Sequence, residues 1–206
     1  VELQGADVRG SKLPENLERA DLSGCNLSNL DLTRCKMRET KLSGAILIGC
    51  KLPLLLTKAD LSGCDLSNRD WSGHDLSESD LSGADMSECK VPKNLSRANL
   101  VGVRGLSGRD LGGLKLRNAK VVDTDLSGCD LRGAELPVEL TRTNLSRCNL
   151  SDQNLSEADL SETNLSGAEL TNCRLSSRLR SAKLVGCKLA GRDLSTSDIS
   201  CADLSG

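Results

Sequence analysis

Hydrophobic residues return along this chain on a fixed beat of five. Between Thr143 and Leu170 the sequence reads TNLSR CNLSD QNLSE ADLSE TNLSG AEL, with leucine at 145, 150, 155, 160, 165 and 170. A small residue usually stands two places before each leucine, Asp, Asn or Glu one place before, and Ser or Thr one place after. Five fits neither the helical period of about 3.6 nor the strand period of about 2. One apolar centre with one small partner instead describes a short extended piece followed by a turn. The step after the centre is often Ser-Gly (Ser23-Gly24, Ser62-Gly63, Ser127-Gly128) or opens with Pro. Those are the preferences of a type II turn, whose second residue takes positive φ. If each pentad turns the chain by about a right angle, four pentads close a square coil. Successive coils then stack at about 4.8 Å and pair their backbones. Leucine and the small residue point inward; the other three positions face solvent.

The repeated unit Ala-Asp-Leu-Ser-Gly (Ala20 to Gly24, Ala59 to Gly63, Ala202 to Gly206) resembles the consensus of the pentapeptide-repeat family, and the resemblance runs from Val1 to Gly206. It implies an all-β fold, a right-handed quadrilateral parallel β-helix with little or no α-helix. Counting centres from Leu3 to Leu204 gives about 42 sides, or ten to eleven coils, in a single domain spanning 1–206. The expected length is about 50 Å. The core is a leucine column in which Val8, Met37, Trp71, Met86, Val91, Val121 and Ile199 substitute. With neither Phe nor Tyr in the chain, that core is aliphatic apart from Trp71, which is expected to lie inside.

A slower rhythm lies above the first. The beat shortens to four after Leu13, Leu52, Val91, Leu136 and Leu175, at intervals of 39, 39, 45 and 39 residues. Thirty-nine is seven pentads and one four-residue step, so the chain is expected to be an array of about five two-coil units. Where a small inward residue belongs, Leu30, Arg69, Arg109, Gln153 and Arg192 appear, each four sides after a short step. A guanidinium does not stay in a dry aliphatic core without a partner. The face carrying Arg69, Arg109 and Arg192 is therefore expected to open locally, with these arginines reaching solvent or carboxylates. The stretch 101–116 is irregular: a six-residue step from Leu100 to Leu106, expected as a bulge, and a surplus pentad near Gly112 to Leu116. Kept in the coil, the surplus pentad would rotate every later face by a quarter turn; extruded, it would leave the irregular face straight. Insertions in solenoids often mark contact surfaces, so Val101, Val103, Arg104, Leu114 and Lys115 join Arg69, Arg109 and Arg192 as candidate partner contacts.

Charge and chemistry narrow the function. Lys and Arg total 27 against 29 Asp and Glu, a net charge of −2. That balance offers no electrostatic basis for direct nucleic-acid binding. No apolar run reaches membrane-spanning length, so no membrane insertion is expected. Nine of ten cysteines occupy the small inward position and only Cys201 a turn. They are expected to be reduced, in a thiol-tolerant compartment such as cytoplasm or plastid. Cys129 and Cys148, one coil apart, should point the same way, which is poor disulfide geometry. The single His74, between Gly73 and Asp75, stands near no nucleophile motif, and phosphate-loop, dinucleotide and zinc-protease signatures are missing. No enzymatic activity, cofactor, metal or small-molecule substrate is expected. The reading is a non-enzymatic scaffold that binds protein partners within a larger assembly. From the resemblance alone, a plastid photosynthetic complex is one such assembly. The alternative that the resemblance brings is mimicry of duplex DNA to bind a topoisomerase, a role that wants a strongly acidic surface.

Overall fold

The structure is a computed structural model that describes residues 1–206. It contains two compact units, Val1–Gly105 and Leu106–Gly206. Each is a right-handed quadrilateral β-helix of about five coils, without α-helix. In each, parallel bridges join residues 19 or 20 apart, at the position before the central apolar residue except at Arg104.

In the first unit these bridges draw four walls. One runs Glu2, Asp21, Lys41, Asp60, Asp80, Asn99; the next carries Asp7, Asn26 and Ile46 and, separately bridged, Asp65, Asp85 and Arg104; a third carries Asp31, Lys51, Asp70 and Lys90; the fourth carries Asn16, Lys36, Leu55, Asp75 and Asn94. In the second unit the walls pass through Asp130, Glu135, Asp159 and Asn144. The ladder is regular where the beat is regular: Leu22 N donates to Lys41 O at 2.8 Å, and Lys41 N to Ala20 O at 2.9 Å.

Two bonds and one backbone conformation make each corner. The carbonyl of the central leucine accepts from the N–H three residues on, as Leu22 O does from Cys25 N at 3.1 Å. The Asp or Asn before the leucine accepts the N–H after it, as Asp60 Oδ1 does from Ser62 N at 3.0 Å. The second turn residue then takes positive φ, 66° at Gly24. Glycine is not required there: Arg19, Glu39, Lys58, Asn118 and Asp152 hold the same conformation. These side chains project into water, and the ladder bonds on either side outweigh about 1–2 kcal/mol of left-handed strain at each.

Inside, the leucines from 17 to 184 form the expected columns, most of them fully buried. Trp71 is a core residue, 1% exposed, with its indole N–H on Leu66 O at 2.9 Å. Cys25, Cys50, Cys64, Cys89, Cys129, Cys148 and Cys173 are buried free thiols; Cys35 and Cys187 are half-buried and Cys201 is exposed. Ile199, counted as core from its spacing, is instead 38% exposed, and Leu204 is 40% exposed. Val91 is half-buried.

The irregular stretch resolves separately in each unit. At the end of the first, Val103 fills the inward position and Arg104 pairs with Asp85, so the additional residue is Gly105, a bulge at φ 81°. At the start of the second, the surplus pentad is an ordinary wall: Leu114 and Leu116 are buried and Lys115 bridges Glu135. The pentad stays because it presents two inward aliphatic side chains that extrusion would strand in water.

Candidate functional site

Bridges are missing on more than one wall: Ile46 to Asp65 and Lys36 to Leu55 in the first unit and Asp159 to Arg178 in the second are unbridged, and one further wall of each unit leaves alternate rungs open. In the first unit it pairs Asp31 with Lys51 and Asp70 with Lys90, while Lys51 and Asp70, neighbours in the same stack, do not bridge. In the second unit Lys115 pairs with Glu135 and Asn154 with Arg174, again leaving alternate rungs open. The open rung follows the four-residue step each time, because the shortened corner (Leu52-Pro53-Leu54-Leu55) draws the strand away from the coil above. The next corner changes type. After Leu32, Trp71, Leu155 and Leu194 the second turn residue (Arg34, Gly73, Glu157, Thr196) keeps negative φ, as type I turns do. This alternation is the physical content of the two-coil rhythm.

An open rung strands backbone carbonyls, which need donors when buried. Elsewhere in both units the small inward residue donates to the carbonyl of a central residue in the coil below. Cys64 Sγ does so to Leu42 O (3.0 Å), Cys148 Sγ to Leu126 O (2.9 Å), Thr40 Oγ1 to Leu17 O (2.9 Å) and Thr163 Oγ1 to Leu140 O (2.8 Å). At the open rungs a longer donor makes the same reach. Gln153 Nε2 donates to Leu131 O (2.7 Å) and Ala134 O (3.0 Å). Arg192 donates through Nη1 to Cys173 O (2.6 Å) and through Nη2 to Leu170 O. Arg69 donates through Nη2 to Leu47 O and lies over the Trp71 ring, 5.9 Å from its centre. The expectation is that the seam arginines reach solvent or carboxylates; Arg69 and Arg192 are half-buried and donate to main-chain carbonyls, with no carboxylate in the bonding.

Arg109 does not share this seam. Because the surplus pentad remains in the coil, Arg109 is half-buried on the wall of Asp130, and Leu114 occupies the column of Gln153 and Arg192. Val103 (4% exposed) and Leu114 (6%) are core side chains and are corrected from candidate contacts to packing residues. Val101 and Lys115 are exposed, and Arg104 is exposed with its Nη2 3.5 Å from Asp85 Oδ2.

The open rung of the first unit widens into a cavity of about 860 Å3, lined by Ile46, Ile48, Cys50, Arg69, Trp71 and His74 among others. The matching place in the second unit, at Cys173, Arg192, Leu194 and Ser197, holds about 190 Å3. The difference is in the residues. Ile46 and Ile48 replace the usual Asp/Asn and Ser on the outside, at 45% and 70% exposed, and Leu54 and Leu55 continue the apolar surface at 60% and 67%. The signal was present in the sequence, as aliphatic residues at outward pentad positions, but the beat drew attention to the inward ones.

The polar groups of this cavity are poorly set for catalysis. His74 stacks edge-on against Trp71, ring centres 4.8 Å apart. Burial lowers its pKa, partly offset by the Leu52 carbonyl, so the ring is neutral at pH 7, and its Nδ1 is buried without a hydrogen-bond partner. Burial pushes the Cys50 thiol up to about 11, which leaves it protonated and unreactive. Asp70 is held below the usual carboxylate range by Lys90 (2.8 Å) and by Ser72. No group of three or more metal-ligating side chains occurs, and no helix is long and apolar enough to cross a membrane.

The family comparison agrees with this architecture. The Pentapeptide repeats family matches residues 16–52, 56–91, 110–137 and 139–176, in eight copies. Among solved structures, HetL, a pentapeptide repeat protein involved in heterocyst differentiation regulation from the cyanobacterium Nostoc sp. strain PCC 7120, is 29% identical, with 89% of this chain and 87% of that one covered at a TM-score of 0.47. A trypsin-treated form of QnrB1, a plasmid-mediated fluoroquinolone resistance protein, is 16% identical over 98% of this chain and 89% of its own, at a TM-score of 0.38. No curated protein sequence matches. With the family's repeat covering most of its length and the square coil present in both units, this chain belongs to the pentapeptide-repeat family.

Proposed function

We propose that this protein is a non-enzymatic interaction module, a subunit or accessory of a larger protein assembly, and that the open seam of its first unit is where a partner docks. The observation that carries the reading is the pair Ile46 and Ile48, exposed aliphatic side chains that line the Arg69 cavity, with Leu54 and Leu55 also exposed further along the same coil. Exposed aliphatic side chains beside an open cavity mark contact with another macromolecule. The family, typically non-enzymatic, supports the same reading.

Mimicry of DNA is the weaker reading on the surface of the first unit. Its walls mix signs: Lys41 Nζ stands 3.4 Å from Asp21, and Lys90 2.8 Å from Asp70. A duplex mimic needs unbroken rows of negative charge.

The test is quantitative cross-linking of the native chain in extract, followed by the same experiment with Ile48→Glu plus Leu55→Glu and with the remote surface change Glu18→Lys. Loss of a stoichiometric partner in the first variant alone supports docking at the seam. Retention of that partner, or turnover of a substrate by the purified chain, overturns it.

A further inference from the structure

The geometry points to a specific occupant of the first unit's cavity: an extended peptide segment that alternates aliphatic and acidic side chains, its carboxylate on Arg69 and its aliphatic groups on Ile46, Ile48 and Leu54. This inference rests on the interaction reading above and names the chemistry of the partner. Three observations carry it.

The first is charge. Each other charged group of the cavity is already engaged: Lys51 lies 3.8 Å from Asp31, Asp70 accepts from Lys90, and the Asp65 Oδ1 accepts from Ser67 N at 3.0 Å. Arg69 has no carboxylate within 4 Å; one amino group reaches Leu47 O, and the plane rests over Trp71. A guanidinium carries five N–H donors, so donors remain for a bidentate carboxylate, the geometry Arg favours. Asp65, on the lining of the same cavity, acts on Arg69 only through space, so a ligand carboxylate can still take the remaining guanidinium donors.

The second is extent. The apolar surface continues beyond the cavity: Leu54 Cδ2 lies 3.7 Å from the place a Cβ on Gly73 would occupy, and Leu55 follows on the next wall. A small acid filling the cavity would leave Leu54 and Leu55 in water; a segment several residues long covers both.

The third is the backbone. Lys51 and Asp70 do not bridge each other, so the rung beside the cavity is an interrupted piece of parallel ladder, and an extended chain offers the alternating donors and acceptors that such an edge lacks.

The experiment titrates the intact chain with three fluorescein-labelled, end-blocked peptides, Leu-Asp-Leu-Asp-Leu, Leu-Asn-Leu-Asn-Leu and Leu-Lys-Leu-Lys-Leu, and with free isovalerate as competitor. The expected result is that the acidic peptide binds at least tenfold more tightly than its amide twin and that the lysine peptide does not bind. Arg69→Gln should remove the preference for Asp over Asn, and Ile48→Glu, at an exposed site that cannot unfold the coil, should remove binding of both. Native Trp71 emission establishes that each variant is folded. Equal affinity for the Asp and Asn peptides, an undiminished Asp preference in Arg69→Gln, or no binding of any peptide overturns the inference. Isovalerate matching the peptide's affinity also overturns it, in favour of a small-acid site. A partner still cross-linked through the 46–55 coil when every peptide fails would leave the docking reading standing and this inference alone refuted.

Discussion

Replacing Gln153 by Met tests the claim that long inward side chains at the seam stand in for missing ladder bonds. The two side chains are nearly equal in length and volume, so packing is kept and only the amide is lost. Gln153 is 9% exposed and its Nε2 bridges Leu131 O at 2.7 Å and Ala134 O at 3.0 Å. These two acceptors differ. Leu131 O keeps its turn bond from Ala134 N at 3.1 Å, so that loss amounts to one ordinary hydrogen bond, about 0.5–1.5 kcal/mol. Ala134 O has no other donor, and an orphaned buried carbonyl costs about 1–3 kcal/mol. The sum is about 1.5–4.5 kcal/mol, which for a chain of this size lowers the melting temperature by about 3–18 °C. Thr163→Val is the matched control. Its hydroxyl donates to Leu140 O at 2.8 Å, but that carbonyl also holds Thr143 N at 3.1 Å, so its removal orphans nothing and should cost about 1 kcal/mol. Urea denaturation followed by circular dichroism gives the midpoints, and hydrogen exchange at residues 131–136 and 153–157 gives the local effect. Equal midpoint shifts for Gln153→Met and Thr163→Val would refute the reasoning, as would unchanged exchange along those segments.

Three further outcomes follow from the turns and the thiols. Gly105→Ala places a Cβ 2.4 Å from Ser87 N at φ 81°, and should destabilise the first unit by about 2–5 kcal/mol in Trp71-monitored urea melts; Glu88→Gly, at an exposed residue with φ 53°, should instead stabilise by about 0.5–1 kcal/mol, whereas Glu157→Gly, where φ is negative, should lose a similar amount. The turn-capping carboxylates have pKa values lowered by Ser or Arg donors, as at Asp65 and Asp85 and, to about 2, at Asp130. A depressed carboxylate contributes stability above its unfolded value of 3.8 that disappears as pH falls toward 2; the urea midpoint should therefore drop between pH 4 and 2, and Asp65→Asn with Asp85→Asn, which keep the acceptor oxygen, should flatten that drop. Among the thiols, burial holds Cys64 near 11 and Cys148 near 12, so a disulfide reagent at pH 8 should label exposed Cys201 within minutes and those two only on unfolding.

The five-residue beat alone determined the square coil, because only that path buries a leucine and its small partner every fifth residue while leaving Asp, Ser and the turn residue in water. It also determined the burial of Trp71 and of most cysteines, since a small or apolar side chain in an inward register has one place to go. The sequence located the seam through the spacing of Leu52, Leu136 and Leu175, yet it could not say what Arg69 and Arg192 bind. Their acceptors, the carbonyls of Leu47 and Cys173, belong to the coil below, and a carbonyl is invisible in a string of side chains. The same limit governed residues 101–116. Whether Leu114 faced a partner or the core depended on whether its pentad kept the coil, which the bridge from Lys115 to Glu135 decided. The cavity, too, arises only in three dimensions: the short step after Leu52 opens a rung, and the outward isoleucines at 46 and 48 border it from the next wall, a juxtaposition set by coil geometry and not by distance along the chain.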